Sequence, residues 1–145
     1  METQILVSSS SAEYKNTYER RNHAIGKSIW HMQWCTKYRL HMFRKEKCAN
    51  LMEACIRRSA SKNGIKIVEI SIMSDHIHCV VELRLAMSPS RAIQILKGGS
   101  SYMYFKYQPK TKFRYPKRHL WSKGKFAASV GFIQVETARE YVRNQ

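Results

Sequence analysis

The sequence has no apolar run near the roughly 20 residues that a membrane-spanning helix needs. Its first residues, Met1–Val7, lack the basic start of a signal peptide. No two cysteines form a C-x-x-C pair, which favours reduced core cysteines over a disulfide framework. We therefore expect no membrane partner and a cytoplasmic, intracellular location. The 145 residues suffice for one domain with a real hydrophobic core.

Acidic residues are missing from Leu83–Val135, although that segment holds eleven basic residues and the whole chain carries a net charge of +16. A solvated helix face usually carries both positive and negative side chains, so a segment with basic residues only indicates a polyanionic partner. Aromatic residues lie between the charges, and cations that track phosphates with rings that stack on bases suit single-stranded nucleic acid. The candidate DNA-binding residues are Lys97, Lys110, Lys112, Arg114, Lys117, Arg118, Lys123 and Lys125.

The periodicity of apolar residues predicts an α+β domain. Strands are expected at 28–39, 64–73, 76–83 and 120–128, with helices at 45–62 and 88–107 and a short final helix within 134–145. This β-α-β-β-α-β order is typical of a ferredoxin-like (RRM-like) fold, an antiparallel sheet with helices on one face, here with an extra C-terminal helix. Residues 1–22 are assigned to a flexible tail and 23–145 to a single domain. Thr137 and Glu140 have capping-box spacing, which would let the final helix start late.

The motif His76-Ile77-His78 lies in the third predicted strand. Strand residues two apart share a face of the sheet, so both imidazoles would lie side by side as a metal half-site. The alternative, one histidine packed and the other exposed, is about as frequent. Val80 stands where a third alternating histidine would be, which argues against histidine-triad nucleotide hydrolases. The chain has no H-E-x-x-H motif and is too short for a barrel hydrolase.

Tyr141 and Gln145 lie one helical turn apart on the same helix face. A tyrosine on an amphipathic helix is more often partly buried core than a reactive group. Tyrosine is nevertheless a suitable nucleophile, because its attack on a phosphodiester conserves the bond energy in a phosphotyrosine link. Such an attack needs a Lewis acid, and a histidine pair with one oxygen ligand leaves positions open for the phosphate.

Several segments, in this order and spacing, resemble one family from Trp30 to Gln145. The matching segments are Trp34–Arg39, Met73–His78, Leu96–Ser101, Leu120–Phe126, Ser129–Gly131, Glu136-Thr137 and Tyr141–Gln145. They resemble the single-tyrosine HUH transposases of the TnpA type, from the insertion-sequence 200/605 family. This resemblance implies that His76, His78 and Gln145 bind a divalent ion and that Tyr141 is the nucleophile.

The same resemblance implies the cofactor and the assembly. It favours Mg²⁺ or Mn²⁺, whereas ligand softness alone would favour zinc or another metal that prefers imidazole. It also implies a homodimer in which the final helix of one subunit can complete the histidine site of the other, with Gly131 as the joint.

The expected function is therefore that of a DNA transposase. It would cleave and rejoin single-stranded DNA at the hairpin ends of an insertion sequence through a 5′-phosphotyrosine intermediate. One alternative is an HUH replication-initiator or relaxase-type nuclease, although such enzymes tend to be larger. Another is a non-catalytic RNA-binding module on the same fold, although the aromatic motif of an RNA-recognition domain is absent.

Overall fold

Four antiparallel strands form one sheet in the computed structural model, which describes residues 27–131 and 135–145. The predicted tail, residues 1–22, lies outside the described residues. The elements in chain order are β1 (Lys27–Cys35), α1 (Glu46–Lys62), β2 (Lys66–Ile72), β3 (His76–Arg84), α2 (Pro89–Tyr107), β4 (Phe126–Val130) and α3 (Val135–Arg143). Short 3-10 helices occupy Lys37–Arg39 and Pro109–Phe113.

The strand order is β2-β3-β1-β4, and each neighbouring pair is antiparallel. This order, with one helix after β1 and one after β3, confirms the predicted ferredoxin-like α+β fold. The helices that follow β1 and β3 lie on one face of the sheet. None of the helices in the described ranges is long and apolar enough to cross a membrane.

The two faces of the sheet bury different sets of side chains. Toward α1 and α2, alternate residues of the two central strands, such as Trp34 and Ile77, enter the main core. On the opposite face, Ile29 and Val80 form a second, smaller core with residues of α3. The sheet is thus covered on both faces along part of its length, which makes β3 an almost continuously buried strand.

Three predicted boundaries differ from the structure. β1 stops at Cys35, because the chain turns at Thr36, whose hydroxyl donates to the Leu40 carbonyl. β4 begins at Phe126 instead of residue 120; Trp121 is buried and forms only an isolated bridge with Thr36. α3 begins at Val135, so a late start at Thr137 is wrong. Val135 is buried, and its packing favours helix at that point.

The four cysteines are free, as predicted. Cys55 and Cys79 are buried in the core, and burial raises the pKa of the Cys55 thiol to about 11. Cys35 and Cys48 are only partly buried.

Two adjacent glycines in the middle of α2 have different environments. A Cβ atom on Gly99 would overlap the hydroxyl of Ser59 on α1 and lie 2.9 Å from its Cβ. The Ser59 hydroxyl is already engaged, donating to the Ile95 carbonyl at 3.1 Å. A Cβ atom on Gly98 would meet no atom of residues 27–131 or 135–145 within 4 Å. Close contact between α1 and α2 therefore requires glycine at position 99 and does not require it at position 98.

This difference predicts opposite effects of one substitution at neighbouring positions. Gly99→Ala should lower the free energy of unfolding by about 1–2 kcal/mol, because overpacking outweighs the gain in helix propensity. Gly98→Ala should raise it by about 0.5–1 kcal/mol. Urea denaturation of both variants measures this, and equal effects would contradict the described contact between the helices.

Candidate active site

The two histidines of the predicted motif lie on the same face at the start of β3. Alternation along the strand places their ring centroids 4.9 Å apart, at an interplanar angle of 74°. His78 is buried at 2% exposure, whereas the His76 side chain retains 19%. The face is that of the smaller core, opposite α1 and α2.

Asp75 orients His76. The Nδ1 atom of His76 lies 2.7 Å from Asp75 Oδ1, and the Nε atom of Arg39 donates to Asp75 Oδ2 at 3.0 Å. Burial alone would raise the pKa of Asp75, but the hydrogen bonds from His76 and Arg39 outweigh it and lower that pKa. An ionised carboxylate only accepts, so His76 Nδ1 is the donor and its Nε2 atom keeps a lone pair when the ring is neutral.

His31 is a third histidine of the cluster, which the sequence analysis missed. It lies on β1, and its Nε2 atom is 3.3 Å from Nδ1 of His78. The two rings are stacked, with centroids 5.6 Å apart and an interplanar angle of 19°. The sequence contained a signal for this position. Side chains along β1 alternate between the two faces of the sheet, so His31 lies on the face opposite Met32 and Trp34, which is the more polar one.

Burial keeps this part of the cluster neutral. It lowers the pKa of His31. It also lowers the pKa of His78 to about 4, with further contributions from His76 and His31. Both rings are therefore uncharged at neutral pH, which is the form that binds cations.

The docking of α3 brings Tyr141 to the histidines. Val135, Ala138 and Val142 share one helix face, which packs on Ile29 and Val80. The Tyr141 ring extends from one flank of that face, 5.6 Å from the His31 centroid and 5.7 Å from that of His78, edge-on to both. Tyr141 remains 53% exposed, so its ring contacts the histidines and is also open to solvent.

The opposite flank of α3 is tied to β2 by charge. Glu69 Oε1 accepts from Arg143 at 3.1 Å and from Arg139 at 3.4 Å. The hydrogen bond to Glu69 raises the pKa of Arg143. Apolar packing and these ion pairs together fix the rotation of α3 that points Tyr141 at the histidines.

Gln145 shares the flank of Tyr141 but makes its contact within the helix. Its Nε2 atom donates to the Tyr141 carbonyl at 3.2 Å. Among the described residues, no hydrogen bond joins Gln145 to His76 or His78. No group of three His, Cys, Asp or Glu side chains in the described ranges is arranged to hold a metal ion either. The structure therefore brings together His76, His78 and Tyr141, without Gln145.

The predicted DNA-binding residues fall into separate places. Lys97 is partly buried, donates to the Ser122 carbonyl at 2.7 Å, and lines one groove together with Lys123 and Lys125. A second, smaller pocket of about 200 Å³ is lined by aromatic and basic side chains, and its lining includes Arg114 and Lys117. The remaining three are Lys110 and Lys112 on the second 3-10 helix, and Arg118, whose guanidinium lies 5.9 Å from the Phe105 ring.

Fold and site together define a class: a ferredoxin-like protein with an oriented histidine pair and a tyrosine on one face of its sheet. A crystal structure of a candidate transposase from Deinococcus radiodurans shares this fold, with a TM-score of 0.68 over 85% of this chain and 94% of that one, at 24% identity. The REP-associated tyrosine transposase, solved bound to a REP hairpin, gives a TM-score of 0.57 at 10% identity over 83% and 67%.

Sequence relatives narrow the class to a family. Residues 24–145 match the family model described as "Transposase IS200 like". The transposase for insertion sequence element IS200 of Salmonella typhimurium is 29% identical over 80% of this chain and 75% of its own. The ISDra2 transposase TnpA of Deinococcus radiodurans is 28% identical over 80% and 82%. The chain belongs to the IS200-like transposase family, which confirms the resemblance drawn from its motifs.

The anchoring of α3 by Glu69 can be tested by substitution. Glu69→Gln removes the charge that two arginines share, and we expect α3 to open about fivefold more often, for a loss of about 1 kcal/mol. Hydrogen exchange of the α3 amides measures this opening. The matched control is Glu53→Gln, which removes an exposed pair with Arg57 on α1. Unchanged α3 exchange in Glu69→Gln would contradict the anchoring.

Proposed function

We propose that this transposase cleaves and rejoins single-stranded DNA through a covalent link between Tyr141 and a 5′-phosphate, assisted by a divalent cation on His76 and His78. Membership of the family implies an enzyme that cuts DNA. The observation that supports the finer mechanism is the edge contact of the exposed Tyr141 ring with His78, beside a carboxylate-supported His76. The proposed nucleophile and the two proposed metal-binding histidines then lie on one surface.

The donor atoms of His76, His78 and Gln145 are of kinds that bind a divalent ion, although the described side chains are not arranged around one in this structure. Asp75 engages Nδ1 of His76, and His31 lies at Nδ1 of His78. Metal-binding histidines characteristically use one ring nitrogen for such a partner and the other for the ion. Gln145 would contribute Oε1, since its bond to the Tyr141 carbonyl uses Nε2. Mg²⁺ or Mn²⁺ is the ion that the family resemblance implies, and it would polarise the scissile phosphate.

Tyr141 carries the covalent chemistry. Its hydroxyl oxygen attacks the phosphorus and loses its proton, while the bond from phosphorus to the 3′ oxygen breaks. The leaving oxygen takes up a proton to become a free 3′-OH, and the 5′-phosphate remains on Tyr141. Attack by a 3′-OH on that linkage reverses the step and joins two DNA ends without an external energy source.

His31 is a positioning residue in this proposal. If Nδ1–H of His78 donates to Nε2 of His31, the Nε2 atom of His78 is left without a proton and can bind the ion. The arrangement parallels the bond from His76 to Asp75, with a neutral acceptor in place of a carboxylate.

The expected homodimer is part of the proposal. In this structure α3 packs on the sheet of its own chain, which places Tyr141 in cis. Exchange of α3 between two copies would reproduce the same packing in trans and give composite sites. The proposed DNA partner is a hairpin end of an insertion sequence, in keeping with the REP hairpin bound to a protein of similar fold, the REP-associated tyrosine transposase.

The nucleophile assignment predicts a covalent adduct that depends on Tyr141. With Mn²⁺ and end-labelled single-stranded element ends, the protein should form a product that survives denaturing electrophoresis. Tyr141→Phe should form none, because the attacking oxygen is gone. Tyr102→Phe is the control, since Tyr102 is 72% exposed on α2. An adduct formed by Tyr141→Phe would contradict the mechanism, and so would DNA cleavage that is unchanged after the metal is chelated. RNA binding that ignores the chelator, without any cleavage, would favour a non-catalytic RNA-binding module.

The role of His31 predicts a change in metal affinity. His31→Phe keeps a ring against His78 and removes the acceptor, so Mn²⁺ affinity should fall about 10–100-fold. His31→Gln supplies an amide oxygen and should restore part of it. Electron paramagnetic resonance of free Mn²⁺ measures binding without any turnover. The matched control is His119→Phe, since His119 is an exposed histidine in the segment between the second 3-10 helix and β4. Equal Mn²⁺ affinity in His31→Phe and native protein would rule out the role.

A further inference from the structure

An open groove lies between the first half of α2 and the segment before β4. It encloses about 660 Å³. Within the described part of the chain, its lining contains four cations, Arg91, Lys97, Lys123 and Lys125, and no acidic side chain. All four belong to the segment Leu83–Val135, which has no Asp or Glu.

The cations of this groove are close enough to affect one another. Lys97 lies partly buried on its wall, and both burial and the neighbouring Lys125 lower the pKa of its ammonium group. Its Nζ atom is held by the Ser122 carbonyl at 2.7 Å, so it is fixed in place beside the groove. Like charges gathered in a concave surface concentrate a positive potential that an anionic ligand would relieve.

Gly98 forms part of the groove without a packing reason to be glycine. Glycine destabilises a helix interior relative to alanine. At position 99 the contact with Ser59 explains the glycine, but a Cβ atom on Gly98 would meet no described residue within 4 Å. A residue without a side chain lets another molecule approach the backbone closely. Gly98 therefore favours a groove that is occupied by an extended ligand.

The groove adjoins the histidine face across the edge of the sheet. β4 is an edge strand, and its first residue, Phe126, pairs with Gln33 and contacts the His31 ring edge-on at 5.8 Å. Lys125 directly precedes Phe126 and lines the groove on the other side. Lys125 in the groove and Phe126 on the histidine face are thus consecutive residues of the chain.

We propose that this groove binds the sugar–phosphate backbone of the DNA strand that continues from the scissile phosphate around the edge of β4. The inference rests on the proposed function for the position of that phosphate. The four cations contact phosphate oxygens, and the open backbone at Gly98 admits the strand. Such contacts position DNA without reading its sequence.

The first experiment measures salt-dependent binding of a fluorescent thymidine 20-mer to the full chain in EDTA. Lys123→Ala with Lys125→Ala removes two phosphate contacts, so the slope of log affinity against log salt should become shallower by about 1.4. For curves that converge near 1 M salt, this corresponds to about 25-fold weaker binding at 0.1 M. The matched control, Arg58→Ala with Lys62→Ala, removes the same charge from exposed positions of α1. It should leave the slope unchanged.

The second experiment fills the groove without changing its charge. Gly98→Gln should not lower the melting temperature, because its side chain enters open space and glutamine favours helix. It should weaken binding about fivefold at 0.1 M salt, as expected for one lost phosphate contact. A variant that is at least as stable and yet binds less tightly cannot be explained by a structural role of Gly98.

The outcomes separate this inference from the catalytic one. The groove proposal would be contradicted if the salt-dependence slopes of the groove pair and the control pair were equal, or if Gly98→Gln bound the 20-mer as tightly as the native protein. Either result would count whether or not the Tyr141 adduct forms. Groove-dependent binding without any adduct would instead overturn the catalytic mechanism and keep the groove as a nucleic-acid site. Because the binding assay contains EDTA, its result does not depend on the metal.

Discussion

The packing of α3 on the sheet is the interaction on which the candidate site depends. Val135 and Val142 bury their side chains against Ile29 and Val80, and this contact decides that a tyrosine on the last helix lies beside histidines on β1 and β3. Glu69 fixes the rotation of the helix from the other flank. Without that docking, the histidine pair would lie on the sheet with no contact to Tyr141. A small apolar contact of four residues thus brings Tyr141 to His78 and His31, which lie 63 and 110 positions earlier in the sequence.

The polar side chains on this face differ in how firmly they are held and in how exposed they are to solvent. Asp75 and its partners His76 and Arg39 are tied together by short hydrogen bonds, and buried His78 is held between His76 and His31. Tyr141, the proposed nucleophile, is more exposed than His76 and His78. Ordered histidines beside an accessible tyrosine are the arrangement that the proposed mechanism needs, because a polymer substrate must enter from solvent while the groups that bind its phosphate stay fixed.

Much of this arrangement could be predicted from local sequence. The order of strands and helices follows from periodicity, and strand alternation alone puts His76 and His78 on one face. The missed features are tertiary. His31 joins the cluster only because β1 and β3 pair in a register that sets Gln33 opposite His78. The start of α3 at Val135 reflects burial, which local capping signals at Thr137 could not show. The contact of Gln145 with the Tyr141 carbonyl and the docking of α3 on its own sheet are likewise consequences of packing.

The most direct test of the central claim, that Tyr141 and the histidine cluster form one active site, is to identify the residue that carries the DNA. Trypsin cuts after Arg139 and Arg143, so Tyr141 falls in the four-residue peptide Glu140–Arg143. After incubation with single-stranded element ends and nuclease digestion, mass spectrometry should find the nucleotide remnant on that peptide and lose it when His76 and His78 are replaced by alanine. A remnant on a different tyrosine, or one that persists without the histidines, would contradict the account.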